Sequence, residues 1–134
     1  DIDGNIAPFS SRGPTAQELI KPDCVAPGVD ILSSSSGYIA LMQFMDGPPA
    51  LAAISGTSMA TPHAAGTLAL VLQYARSRGV YLTTEQVKEA LQAYGRPKDN
   101  DYGWGLLTFS LFKRLLQEKY PITYGASISP LAVS

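Results

Sequence analysis

From Thr57 onward, Ala60, Ala64, Ala65, Leu68, Leu70, Val71, Leu72 and Ala75 fall at helical spacing, and the stretch is almost wholly apolar. A helix that is apolar nearly all round belongs in the middle of a protein, covered on every side. That requirement constrains the fold more than any other feature of the chain. The helix should run to Arg78, where Gly79 breaks it. Its cover has to come from what remains of 134 residues.

A second helix is expected from about Leu82, because Thr83 and Gln86 are spaced as a capping box. Val87, Ala90, Leu91 and Tyr94 make its apolar stripe, and Gly95-Arg96-Pro97 ends it. Tyr102-Gly103-Trp104-Gly105 reads as a tight aromatic turn. A third helix, about Thr108 to Glu118, buries Leu111, Phe112, Leu115 and Leu116. Ahead of these helices the chain reads as short strands punctuated by turns. The candidates are Ile6–Ser10, a stretch bounded by Pro22 and Pro27, Val29–Leu32 and Ala50–Ile54. Residues 33–49 read as an inserted loop whose middle is too apolar for a plain linker. Tyr38, Leu41, Phe44 and Met45 would make it a flap, a docking surface or a loop packed on the body. Strands followed by helices give an α/β layered class. The sheet is nevertheless too small to cover the long helix, so part of the layer is expected from elsewhere.

Composition narrows the function. The chain is 46% hydrophobic and 16% charged, with a formal net charge of -1. That suits a globular core and supplies no cationic footprint for nucleic acid or for a membrane surface. No apolar run is long enough for a transmembrane helix, and no signal peptide is visible. One cysteine, Cys24, and one histidine, His63, leave no disulfide and no His- or Cys-based metal cluster. Cys24 reads as an inert core thiol.

The chemistry concentrates in SGTSMATPHAAG, residues 55–66. A serine hydroxyl needs a base within hydrogen-bond reach to become a nucleophile. His63 is five residues beyond Ser58, which on a helix means roughly 140° of rotation and about 7.5 Å of rise. The two side chains point to different faces, so His63 is a poor base for Ser58. Ser58 does lie where a strand and a small-residue turn meet a helix. Unpaired backbone N–H groups and the positive end of the helix dipole gather there, ready for an oxyanion. Gly56 removes a side chain where a substrate backbone would approach. The same residues also read as an ordinary helix cap.

SGTSMATPHAAG resembles the nucleophile motif of the subtilisin-like serine peptidases, the subtilases, across Gly56 to Gly66. Phe9-Ser10-Ser11-Arg12-Gly13-Pro14, Lys21-Pro22-Asp23-Cys24-Val25-Ala26-Pro27-Gly28 and Tyr102-Gly103-Trp104-Gly105 are similar to three further landmarks of that family, in the same order. The resemblance covers roughly three-quarters of the chain. It implies the C-terminal part of a subtilisin-like three-layer α/β fold with a mostly parallel sheet, incomplete here. Residues 1–118 would belong to the catalytic domain and 119–134 to an irregular tail.

The resemblance implies a serine endopeptidase with Ser58 as acylating nucleophile and the Ser58 N–H as half of the oxyanion hole. Ser55, Gly56 and Thr57 would support substrate and oxyanion; Ser55 stands where many relatives carry Asn. Pro62 and His63 would be structural, Pro62 fixing the helix start. Subtilases order their triad Asp, His, Ser. The Asp and His motifs and the oxyanion Asn should therefore lie upstream, and this chain contains none of them. The implied partners are that N-terminal half, a polypeptide substrate and a pro-segment. Losing triad members costs on the order of 10⁴ to 10⁶ in rate, as measured in subtilisin itself, so the chain alone should be inactive. No cofactor is required. Family members often hold structural calcium, but Glu18, Asp23, Asp99 and Asp101 have no recognisable loop spacing and no metal site is assigned. Extracellular location follows by analogy. The alternative within the family is a pseudopeptidase that binds or regulates. An α/β-hydrolase would need a histidine after the nucleophile in a late loop, and none follows His63.

Overall fold

A computed structural model describes residues 1–35 and 51–120. Two strands, β1 (Ile31–Ser34) and β2 (Leu51–Ile54), are followed by three helices: α1 (Thr57–Ser77), α2 (Thr84–Tyr94) and α3 (Phe109–Lys119). The central stretch of the expected insertion, with Tyr38, Leu41, Phe44 and Met45, lies outside the described residues, as does the tail from 121. Ser33 and Ser34, assigned to the loop by sequence, are the last residues of β1.

β1 and β2 pair antiparallel, with Ile31 opposite Ile54 and Ser34 opposite Leu51. A single parallel bridge joins Val25 to Leu106. The expected strand at Ile6–Ser10 does not form; the segment is irregular, with a turn closed by the Ser10 N–H on the Ala7 carbonyl. Among the described residues it has no neighbouring strand to complete a ladder, and a strand without a partner leaves its backbone groups to water.

The helices pack as their stripes dictate. α3 lies against both α1 and α2. Phe112 and Leu116 are fully buried, and Phe112 joins Leu115, Val71, Ala90, Leu91 and Leu107 in one core cluster. The α2 capping box forms in both directions: Thr83 N–H donates to Gln86 Oε1, and Gln86 N–H donates to Thr83 Oγ1. α1 closes with a Schellman motif, in which Val80 N–H reaches the Ala75 carbonyl and Gly79 N–H the Arg76 carbonyl.

α1 departs from expectation. Only Val71 and Ala75 are buried, while Ala65, Gly66, Ala69 and Leu70 face outward and Leu70 is 57% exposed. A side chain placed at Gly66 would meet nothing within 4 Å. The described residues cover one face of this helix and leave the other, made of small and apolar residues, open.

Two of the sequence landmarks are joined in space. Trp104 N–H donates to the Asp23 carbonyl, Val25 N–H to Gly105, and Leu107 N–H to Val25. Gly103 has φ 57°, and a Cβ there would lie 2.3 Å from the Pro22 carbonyl oxygen. Only glycine suits both the left-handed backbone and the close approach. Beside this seam, Asp23 takes Lys21 at 2.5 Å and Lys98 at 2.7 Å, and Lys98 lies 4.1 Å over the Trp104 ring.

Candidate active site

β2 delivers the chain to α1 through Ser55 and Gly56. The Gly56 carbonyl accepts the N–H groups of Met59 at 3.0 Å and Ala60 at 3.3 Å. The N–H groups of Thr57 and Ser58, first and second in the helix, have no partner among the described residues. The first turn carries no acidic residue, so the positive end of the helix dipole is uncompensated there. Ser58 is exposed and its hydroxyl makes no hydrogen bond among the described residues. A hydroxyl and a backbone N–H without partners among the described residues thus share one residue, at the mouth of a helix.

His63 is exposed on the same helix, and its Nδ1 lies 2.8 Å from the Met59 carbonyl oxygen one turn back. That contact ties the ring along the helix rather than to Ser58. Pro62 is the sixth residue of α1, so it does not fix the helix start; Gly56 caps the helix instead. Pro62 has no N–H for the Ser58 carbonyl, which would otherwise accept from it. Thr61 Oγ1 donates to the Thr57 carbonyl at 3.0 Å. Thr57 is exposed beside Ser58.

Ser55 and Gly56 look back toward β1. Ser55 Oγ accepts the Asp30 N–H at 2.8 Å and lies 3.3 Å from Asp30 Oδ1. Gly56 N–H donates to the Gly28 carbonyl at 2.8 Å. Gly28 and Asp30 thus contact the turn that leads to Ser58. Gly28 is buried, and a Cβ there would sit 2.8 Å from the Gly56 carbonyl oxygen and 3.2 Å from Ala60 Cβ. The signal available was Pro27-Gly28 directly ahead of a strand.

The carboxylates considered for a cation are each engaged separately. Asp23 holds its two lysines, Asp101 pairs with Arg12 and Asp99 with Arg96. Among the described residues no three His, Cys, Asp or Glu side chains gather as a metal site. Burial pushes the Asp23 carboxyl up, but the hydrogen bonds and charges of Lys21 and Lys98 outweigh it and hold the group below its ordinary value. Burial, with the Asp23 charge beside it, pushes the Cys24 thiol up. A shallow depression of about 450 Å³ lies between the end of α2 and the start of α3, bordered by Tyr94, Arg96, Trp104 and Arg114. None of residues 55–63 borders it.

Residues 1–105 match the model of the subtilase family, peptidase family S8. The chain belongs to the subtilase family. It is 44% identical over 110 residues to serine protease AprX of Bacillus subtilis, which covers 77% of this chain and 24% of AprX. It is 43% identical over 88 residues to pyrolysin of Pyrococcus furiosus, covering 66% of this chain and 6% of pyrolysin. The solved structure of the Clostridium perfringens CspB protease superposes with a TM-score of 0.65 at 30% identity, covering 86% of this chain and 25% of that one. The subtilase chain described here therefore spans a quarter or less of these relatives, and its architecture is a partial α/β subtilase fold.

Proposed function

We propose that this chain is the nucleophile-bearing part of a serine endopeptidase, and that the general base, its orienting Asp and the oxyanion Asn come from subtilase polypeptide upstream of it. The observation that carries the reading is Ser58 itself: an exposed hydroxyl whose N–H has no partner among the described residues, at the positive end of a 21-residue helix with no acidic residue in its first turn. AprX and pyrolysin, which share this region, fit the same reading.

In that reaction Ser58 Oγ attacks the scissile carbonyl carbon while its proton passes to an upstream imidazole. The carbonyl oxygen becomes an oxyanion beside the Ser58 N–H, where the α1 dipole favours negative charge. Collapse breaks the C–N bond, and the leaving amine takes the proton from the imidazolium. Water then hydrolyses the ester on Ser58 by the same proton route in reverse. His63 serves the helix, through Met59, and moves no proton.

The upstream polypeptide has a second task. It covers the open face of α1 at Leu70 and at Ala65, Gly66 and Ala69, where the small residues allow another layer to come close. Without it Ser58 remains a neutral alcohol. An extracellular location accords with relatives such as the CO(2)-response secreted protease of Arabidopsis thaliana, 34% identical over 102 residues.

The test is hydrolysis of a denatured-protein substrate by the protein that carries these residues together with its upstream half. The wild type should cleave it, and Ser58→Ala should lower the rate by at least about 10⁴-fold. An intact protein that binds the substrate without cleaving it would make this a pseudopeptidase.

A further inference from the structure

Asp30 and Ser55 flank the last rung of the β1–β2 ladder, Ile31 opposite Ile54, each one residue beyond its strand. There the strands stop pairing through their backbones and a side chain takes over. Asp30 N–H donates to Ser55 Oγ at 2.8 Å, and the Ser55 hydroxyl donates in turn to Asp30 Oδ1 at 3.3 Å. Asp30 has φ 51°, in the left-handed region that asparagine and aspartate tolerate better than other side chains. This backbone setting turns its N–H toward Ser55. One residue further along, Gly56 N–H is held by the Gly28 carbonyl at 2.8 Å.

The position of Ser58 follows from how this turn is held. The Ser58 hydroxyl and N–H are both unpaired among the described residues, so only the path of the backbone sets their position. That path is fixed three residues earlier, at Ser55, and two residues earlier, at Gly56. We propose that Asp30 and Ser55 form a positioning clamp that sets the exit angle of the turn from β2 and so places Ser58 Oγ and N–H for attack. The Ser55 hydroxyl acts through the backbone; it is spent on Asp30 rather than offered to substrate. The inference rests on the endopeptidase reading and adds two positioning residues to it.

The test compares variants in the intact protein, including its upstream half. Its readouts are kcat and KM on a peptide substrate, the rate constant for fluorophosphonate labelling of Ser58, and Tm. Small displacements of a reacting group cost one to two powers of ten in rate. Ser55→Ala should lower kcat and the labelling rate about tenfold, leave KM within about twofold, and do so well below its own Tm. Ser55→Thr, which keeps a hydroxyl, should recover most of that loss. Asp30→Ala should cost about as much as Ser55→Ala, and the double variant little more than either, because the two act as one unit. If wild type is labelled and Ser55→Ala is labelled equally fast, or if only Tm changes, the clamp is wrong and the endopeptidase reading stands. If wild type is not labelled at all, the endopeptidase reading fails and the clamp fails with it.

Discussion

The Gly28 carbonyl accepts the Gly56 N–H at 2.8 Å, and this bond ties the segment after Pro27 to the cap of the helix that carries Ser58. A Cβ at Gly28 would lie 2.8 Å from the Gly56 carbonyl oxygen, closer than such contacts allow. Gly28→Ala must therefore push the two segments apart. Overpacking of this kind costs about 1–3 kcal/mol. The variant should lose that stability in a urea melt. In the intact protein it should also label more slowly at Ser58, since the cap shifts with the turn.

Asp23 supplies a pH dependence. Its folded-state carboxyl lies below the ordinary value because Lys21 and Lys98 outweigh the effect of burial. A depressed carboxylate stabilises the fold above its unfolded value, about pH 4, and that contribution is lost as pH falls through the lowered one. Asp23→Asn should cost on the order of 1 kcal/mol at pH 7. The gap between variant and wild type should narrow in urea melts below about pH 4.

The α2 cap offers a local test. Thr83 Oγ1 and Gln86 Oε1 each satisfy a backbone N–H that the helix start leaves free. Thr83→Ala should destabilise the fold by about 1 kcal/mol. Thr83→Ser, which keeps the acceptor, should restore most of it.

Cys24 should be slow to react. Burial and the neighbouring Asp23 charge raise its thiol pKa, so little thiolate forms near neutral pH. Alkylation by iodoacetamide at pH 8 should be many times slower in the folded protein than in 6 M urea. Equal rates would show that the segment between Pro22 and Pro27 is not packed.

The helices were legible because each carried its own local signals. Thr83 and Gln86 announced the start of α2, and Leu111, Phe112, Leu115 and Leu116 drew the stripe of α3. The placing of Ser58 where a strand and a small-residue turn meet a helix was legible too, as was the turning of His63 along that helix. Contacts between distant segments were not legible. Gly28 and Asp30 gain their roles only when β1 lies beside β2, and no local pattern marks an aspartate for φ 51°. Local pattern favours a strand at Ile6–Ser10, but propensity cannot supply the neighbour that is absent among the described residues. The apolar pattern of α1 implies cover on every side, and the described residues leave Ala65, Gly66, Ala69 and Leu70 exposed.

The most direct measurement is mass spectrometry of the intact protein, upstream half included, after treatment with a fluorophosphonate. The account predicts one covalent adduct, located on the Ser58 hydroxyl and lost in Ser58→Ala. An unmodified Ser58, or an adduct on any other serine that persists in Ser58→Ala, would contradict it.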